Sequence, residues 1–355
     1  KSTGFEKVIS MIDEMVEIIQ ELLDKRYAYL ADDGSIYYSI KKFKEYGKLA
    51  HLDMKGMKSS VRIDNDEYEK DDVADFALWK SYEPNCDWDN YWEATFRVKS
   101  EEWRVKRNGN VTHNSQLTTR NSDENWVVTV KGRPGWHIEC SACNRWWFDD
   151  EIDIHMWACD LIFPHHQNEI AQSEAASGKT FCRYWAHAGH LLVDGKKMSK
   201  SAGNFYRLAD IVKKSEDLTE QQVYRAFRMM RLQNLYRDSF NFTFDKLYSA
   251  HNTLINIDNS VRRLATHTAQ DSSKIRPEVR EYLQSAMVDF VAFLEDDFDT
   301  VQALTVLFEL LTQVNTWIDE DKLTSSEVWA IRDLLVSFNE VFVVLDFCVF
   351  DETCE

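Results

Sequence analysis

The chain has 355 residues, enough for two or three domains, and its 44% hydrophobic content excludes an intrinsically disordered protein. Its formal net charge of −18 argues against a surface coated in basic residues for nucleic acid, although one local basic track stays compatible with it. No apolar run approaches the roughly 20 residues of a membrane-spanning helix. Seven cysteines, clustered with histidines, indicate reduced thiols and metal ligands, so we predict a cytoplasmic protein without a membrane partner.

Hydrophobic periodicity predicts the elements of the N-terminal part. Apolar residues recur at helical spacing over residues 5–25 and predict one amphipathic helix. Residues 27–30 and 35–40 flank an Asp-Asp-Gly turn and predict a strand–turn–strand unit. The acidic run over residues 64–72 predicts a solvated loop, and residues 75–80 predict a packed element.

Residues 94–130 are the least regular stretch of the chain. They contain a small basic patch, and residues 108–125 are rich in asparagine, serine and threonine. Residues 126–130 are typical of a short strand. We favour a poorly ordered surface insertion over a loop that contacts nucleic acid, because the stretch lacks clear hydrophobic periodicity.

From Arg207 onward the pattern is almost wholly helical. A polar segment over residues 266–274 is typical of a linker, and Pro277 suits the first turn of a new helix. Apolar stripes over residues 279–347 predict a small antiparallel helical bundle.

A candidate metal site lies in the central part, where six of ten histidines and four of seven cysteines fall between His137 and His190. Pro164 predicts a helix start, and His165 and Glu169 then stand at positions i and i+4 on one helix face. With Cys140 they form a three-ligand set suited to Zn²⁺. A His-x-x-x-Glu pair alone is more often a surface hydrogen bond, and Cys140 and Cys143 alone could be a redox pair or half of a zinc knuckle.

A lysine–serine loop follows about thirty residues later. Lys197, Met198, Ser199, Lys200 and Ser201 lie between Gly195 and Gly203, which could act as hinges. Two lysines on a mobile loop suit the phosphates of ATP. Most such loops taken alone are simply solvated, so the loop gains weight only beside the metal set.

Together these motifs closely resemble the cysteinyl-tRNA synthetases, which are class I aminoacyl-tRNA synthetases. The resemblance lies in five stretches that occur in the same order as in that family: 75–80, 132–140, 160–174, 197–205 and 294–304. It implies an α/β Rossmann-type catalytic domain, here partial, followed by an all-α helical region. It also implies three domains: a catalytic domain over 1–206 with an atypical insertion at 94–130, a stem-contact-type helical region over 207–268, and a tRNA-binding DALR-type bundle over 269–355.

The same resemblance assigns roles to single residues. It implies that Cys140, His165 and Glu169 bind Zn²⁺, which selects the thiol of the substrate cysteine. It places Trp136, Asp160 and His187 around the substrate, with His137 and His155 lining the same cavity. It implies that the loop from Lys197 to Ser201 binds ATP with Mg²⁺, and that Lys197 and Lys200 are catalytic. The expected product is cysteinyl-tRNA(Cys), formed by a monomer through cysteinyl-adenylate.

Three departures from the family lead us to expect an incomplete or impaired enzyme. The chain begins inside the family's catalytic domain. The part of that domain that comes before this point in the family carries the HIGH signature and one more zinc cysteine. Cys143 or Cys159 could replace that cysteine as a ligand. Where the family has glycines, the chain has Met156 and Trp157, whose bulk should weaken ATP binding. The third departure is the insertion at 94–130.

Two alternatives to the ligase stay open. One is a related ATP-dependent ligase that joins cysteine to an amino sugar, which would share the zinc site and the lysine loop. The other is a catalytically inactive paralogue that binds tRNA.

Overall fold

The computed structural model describes residues 8–31, 33–52, 58–62, 72–85, 87, 90–99, 115–120, 125–199, 203–347 and 350. The chain forms two compact units, Lys1–His187 and Ala188–Glu355. The predicted domain boundaries at 206 and 268 differ from this division and stay predictions. The predicted acidic loop at 64–72 lies outside the described residues, apart from Asp72.

The first unit opens with the predicted amphipathic helix. A single 3-10 turn, Val8–Met11, leads into helix α1, Ile12–Asp24. One face of α1 is buried at positions spaced three and four apart, as a helix packed on a core requires: Met15, Ile18, Ile19, Leu22 and Leu23. Strands β1, Ala28–Leu30, and β2, Ile36–Tyr38, then pair antiparallel, which confirms the predicted strand–turn–strand unit.

These strands belong to a larger sheet that also contains β3, Lys58–Arg62, β4, Asp72–Ser81, β5, Trp92–Lys99, β6, Ser115–Arg120, and β7, Asn125–Pro134. The strand order is β1-β2-β4-β7-β5, with β3 beside β4 and β6 beside β7. The pair β3–β4 is parallel, and the other described pairs in this sheet are antiparallel. The packed element predicted at 75–80 lies inside β4, which confirms it.

The prediction of a poorly ordered insertion across 94–130 is wrong for the residues that the structure describes there. Strands β5 and β7 pair from Trp92 opposite Gly132 to Lys99 opposite Asn125, which also confirms the strand predicted at 126–130. Ala94, Phe96 and Val98 are buried in turn, with exposed residues between them. This alternation is the signature of a strand with one face on the core, and the basic residues between the apolar ones concealed it.

Two helices and a second sheet complete the first unit. Helix α2, Trp136–Phe148, and helix α3, Gln167–Ser177, share a core with α1 through small and branched residues such as Ile138, Ala142 and Ala171. Between them in sequence lies strand β8, Ile152–Ala158, which pairs with β9, Cys182–Ala188.

The helix start predicted at Pro164 is confirmed, because helical backbone angles begin directly after the extended residue Phe163. Phe163 has extended dihedral angles, φ −138° and ψ 133°, inside the kinked segment Ile162–His166, and regular helix begins at Gln167. A residue before proline is pushed away from helical geometry by a clash with the proline ring, so the kink falls at Phe163. The turn of chain after the kink is helical at His166, so His165 and Glu169 still face each other.

The second unit begins with a small sheet. Strands β10, Leu191–Val193, and β11, Lys196–Lys197, form a hairpin, and β12, Phe240–Phe242, lies parallel to β10. Helices α4, Leu208–Lys214, α5, Glu220–Leu232, and α6, Phe244–Thr266, surround it, as the helical pattern after Arg207 predicts.

Three further helices, α7, Pro277–Glu295, α8, Thr300–Asp319, and α9, Ser325–Phe342, share the apolar core of this unit. Pro277 is the first residue of α7, as predicted. None of the helices in the described part of the chain is both long and apolar enough to cross a membrane.

Candidate functional site

The predicted metal ligands converge in the first unit. Cys140 lies on the second turn of α2, His165 in the kinked segment, and Glu169 on the first turn of α3. One ligand atom from each lies within 4.8 Å of the other two, and His165 Nε2 is 3.9 Å from Glu169 Oε1. Ligands around a tetrahedral zinc ion are about 3.3–3.6 Å apart, so shifts on the order of 1 Å would gather this set around one ion.

Glu169 provides the test of whether these residues fit a metal. Its side chain is 0% exposed, and neither carboxylate oxygen has a hydrogen-bond partner among the described residues. Three imidazole nitrogens lie 3.2–3.9 Å from it without hydrogen-bond geometry, so the buried carboxylate recovers only part of the interactions with water that it has lost. A bound cation would offset this cost, so the donor set and its burial fit Zn²⁺.

A hydrogen-bond network orients the ligands. His137 Nδ1 lies 3.0 Å from His165 Nδ1, which leaves His165 Nε2 facing Glu169. Gln172 on α3 donates to the carbonyl oxygen of His137 at 2.5 Å and to Ser141 Oγ at 2.7 Å on α2. These bonds fix the two helices at the register that brings the ligands together.

Burial sets the protonation state of the ligands. It lowers the pKa of His165, although Glu169 opposes the shift, and it lowers the pKa of His137 well below its usual range. Both imidazoles are therefore neutral near pH 7, as metal ligands must be. Burial, and then the nearby Glu169, raises the pKa of the Cys140 thiol, so metal binding must displace a proton from it.

Sequence analysis missed two residues beside this set, His166 and Trp185. His166 Nε2 lies 3.9 Å from Glu169 Oε2, and His166 Nδ1 lies 2.8 Å from His187 Nε2. Trp185 on β9 stacks on His155 with ring centroids 4.8 Å apart. The doublet of His165 and His166 was the signal for the first of them, whereas nothing in the sequence singled out Trp185.

The predicted substrate residues have different surroundings. The ring of Trp136 lies 4.4 Å from the ring of His165, directly beside the metal set. His187 is linked to the metal set by its ring-nitrogen contact with His166. Asp160 is exposed and lies on the turn Cys159–Leu161. Met156 and Trp157 lie on strand β8, not on a loop, and are 56% and 61% exposed.

The lysine–serine loop leaves the hairpin of β10 and β11 in the second unit. Gly195 lies in the turn between β10 and β11, and Gly195 and Gly203 have φ of +75° and +69°, a backbone conformation that glycine adopts without strain; their role as hinges stays a prediction. Asn204, which sequence analysis did not single out, receives the Ser199 backbone N–H at 2.9 Å and donates to the Lys197 carbonyl at 3.2 Å. Lys200 and Ser201 lie outside the described residues.

Comparison with known proteins supports the predicted fold class. The model of the tRNA synthetase class I (C) catalytic domain matches residues 1–97 and 103–252, and that of the DALR domain matches residues 289–346. The first match confirms a Rossmann-type catalytic domain followed by a helical region. It also covers most of residues 94–130, against our prediction of an insertion foreign to the family.

Curated relatives give the same result. The chain is 38% identical to a cysteine–tRNA ligase of Chlamydia muridarum over 98% of its own length and 66% of that protein. Its identity to the corresponding ligases of Chlamydia felis and Protochlamydia amoebophila is 37% and 38%, over 96% and 95% of this chain. The chain spans 63% and 62% of those two relatives, so it corresponds to just under two thirds of their length.

A solved ternary complex of a LeuRS with tRNA and LeuAMS, from Agrobacterium radiobacter K84, superposes with a TM-score of 0.46 and 15% identity over 61% of this chain and 32% of that one. The family assignment rests instead on the sequence matches, of which the catalytic-domain match alone covers well over half of the chain. The chain therefore belongs to the class I tRNA synthetases of the (C) catalytic-domain family and carries a DALR domain.

Proposed function

We propose that the protein is a cysteine–tRNA ligase, which couples cysteine to tRNA(Cys) at the expense of ATP and uses Zn²⁺ to select the substrate thiol. The relatives are cysteine–tRNA ligases, which supports this reaction. The observation that carries the metal role is the buried Glu169 carboxylate, which lacks hydrogen-bond partners and lies within 4.8 Å of Cys140 and His165.

In this proposal Cys140, His165 and Glu169 hold the zinc ion. When bound, zinc supplies a soft Lewis-acid position that a thiolate occupies far better than the hydroxyl of serine. The chain's own residues shape the pocket around that position. Trp136, whose ring centroid lies 4.4 Å from that of His165, forms an apolar wall of this pocket. Asp160 binds the substrate ammonium. His187 lines the pocket and contacts His166.

Positioning and charge stabilisation drive the chemical step. An oxygen of the cysteine carboxylate forms a bond to the α-phosphorus of ATP, and the bond to pyrophosphate breaks. Lys197 and Lys200, in the loop from Lys197 to Ser201, stabilise the charge that builds on the leaving pyrophosphate, together with the Mg²⁺ that accompanies ATP. A ribose hydroxyl of the tRNA then loses its proton and takes the acyl group, and AMP leaves.

The helical part of the chain supplies the tRNA contact in this proposal. The DALR match at 289–346 covers the end of α7 and all of α8 and α9 and supports a tRNA-binding role for this part of the chain. We propose that the protein works as a monomer in the cytoplasm. Among the described cysteines, Cys140, Cys159 and Cys182 are free thiols, which agrees with a reducing compartment.

The test is cysteine-dependent ATP–pyrophosphate exchange, measured beside zinc content. We expect exchange with cysteine and not with serine, and loss of both zinc and exchange in Cys140→Ser. Cys182→Ser is the matched control, because Cys182 is a buried thiol that donates to the Tyr184 carbonyl at 3.1 Å and lies outside the metal set. Zinc content that is unchanged in Cys140→Ser would refute the ligand assignment.

One observation favours a second candidate, a tRNA-binding protein without catalytic activity. Met156 and Trp157 replace family glycines, and both side chains project from β8 into solvent. Binding of tRNA(Cys) at micromolar concentration without pyrophosphate exchange would support this candidate over the ligase.

A further inference from the structure

We propose that the first unit holds a second divalent cation, bound by His155, His166 and the other oxygen of Glu169. Glu169 would then bridge two cations, with Oε1 toward Cys140 and His165 and Oε2 toward the second pair of ligands. The inference goes beyond the proposed function, since it depends neither on ATP nor on tRNA.

The distances define the second position. His155 Nε2 is 3.2 Å from Glu169 Oε2, and His166 Nε2 is 3.9 Å from the same oxygen. One ligand atom from each of the three residues lies within 4.8 Å of the other two. Two nitrogens and an oxygen around a zinc-sized ion are about 3.3 Å apart, so one of these distances already fits and the others need shifts of up to about 1.5 Å.

The hydrogen bonds that are missing point to the same place. His155 Nε2, His166 Nε2 and both oxygens of Glu169 are buried, and within the described part of the chain none has a hydrogen-bond partner. Four orphaned polar atoms around one point are far more costly than any one alone, because nearly all buried polar groups in folded proteins are satisfied. A cation between them would satisfy His155, His166 and one oxygen of Glu169 at once.

The surroundings hold both rings for this role. His166 Nδ1 lies 2.8 Å from His187 Nε2, so His166 can present a free Nε2 toward Glu169, as His165 does on the other side. His155 stacks on Trp185 with an angle of 15° between the rings, which fixes its orientation. Partners that orient a ligand in this way are typical of metal sites.

The donor set indicates which cation binds. Two imidazoles and a carboxylate suit Zn²⁺, Co²⁺ or Ni²⁺ and do not suit Mg²⁺ or Ca²⁺, which prefer oxygen ligands. Cations that share a bridging carboxylate are about 3.5–4 Å apart. Because the two cations repel each other, the second should bind with lower affinity than the first. The position at Cys140 and His165 should therefore fill before the position at His155 and His166.

Titration of the metal-free 355-residue chain with Co²⁺ tests the inference. A thiolate ligand gives Co²⁺ a near-ultraviolet charge-transfer band that imidazole and carboxylate ligands do not give, so the two positions are separable by spectrum. We expect two equivalents to bind, the first with the charge-transfer band and the second with visible bands only. We expect His155→Phe, which keeps an aromatic ring against Trp185 but removes the ligand nitrogen, to bind one equivalent, with the charge-transfer band retained.

Control variants make each outcome decisive. His155→Gln repeats the test if the phenylalanine variant does not fold, and His251→Phe, on α6 in the second unit, should keep both equivalents. A wild-type stoichiometry of one, or two equivalents in both His155 variants, would overturn the second cation. Absence of the charge-transfer band in the wild type would instead refute the thiolate position of the proposed function, and the count of visible-band equivalents would still test the second position.

Discussion

Glu169→Gln should make the metal-free protein more stable and the metal-saturated protein less stable than the wild type. The wild-type carboxylate is fully buried without a hydrogen-bond partner among the described residues, a situation that costs about 1–3 kcal/mol for a polar group and more for a charged one. An amide of the same shape removes the buried charge, so we expect the free energy of unfolding of the metal-free protein to rise by about 1–3 kcal/mol.

Zinc should reverse the order. At a free zinc concentration 100 times its dissociation constant, the wild type gains about 2.7 kcal/mol, whereas the variant has lost a ligand and gains little. For a unit of nearly 190 residues, each kcal/mol moves the melting temperature by about 2–4 °C. Thermal unfolding followed by circular dichroism, once with a chelator and once with zinc, measures the difference in stability between variant and wild type in both states.

Glu174→Gln is the matched control on the same helix. Its carboxylate receives the Phe181 backbone N–H at 3.1 Å, although burial still raises its pKa, so its replacement should bring a smaller gain that does not change with zinc. If metal-free Glu169→Gln melts below the wild type, the cost of the orphaned carboxylate has been misjudged, and with it the main support for a cation at this position.

Three other predictions concern the strand at 92–99, the helical part and the lysine–serine loop. Phe96→Ala should cost about 3–5 kcal/mol of unfolding free energy in denaturant titrations, because Phe96 is fully buried in the core; a loss below about 1 kcal/mol would contradict a core strand. Burial opposes ionisation of Glu327, but hydrogen bonds from Arg276 and the Thr324 backbone outweigh it and lower the pKa of Glu327. Its stabilising contribution is therefore present above the ordinary glutamate pKa, about 4.3, and is lost as pH falls below it, and Glu327→Gln should flatten melting temperature against pH in that window. Asn204→Ala should lower pyrophosphate exchange at least about tenfold through loss of two loop contacts worth about 1 kcal/mol each, and should lower the melting temperature by at most about 4–8 °C; equal exchange would exclude a role for Asn204 in shaping the loop.

The sequence predicted what depends on local spacing. The apolar period of α1 and the i, i+4 relation of His165 and Glu169 follow from helix geometry, which needs no knowledge of distant residues. The start of α7 at Pro277 is likewise a local preference. These features were predicted because neighbouring residues determine them.

Features that depend on distant partners were missed. The strand at 92–99 is stabilised by pairing with 125–134, some thirty residues away, and its alternation of apolar with charged and polar residues is ambiguous without that partner. The contact of His166 with His187 likewise requires the pairing of β8 with β9.

The packing of α2 against α3 explains why a metal set and a costly carboxylate occur together. Small residues, Ala142 on α2 and Ala171 and Ala175 on α3, let this core pack closely and exclude water from Glu169. Exclusion of water raises the cost of an unpaired carboxylate and strengthens its attraction for a cation by the same physical effect, a low local dielectric. A looser pair of helices would lower the cost of burying Glu169 in the metal-free protein but would also weaken the metal site, so this cost and the affinity for metal rise together at this one residue.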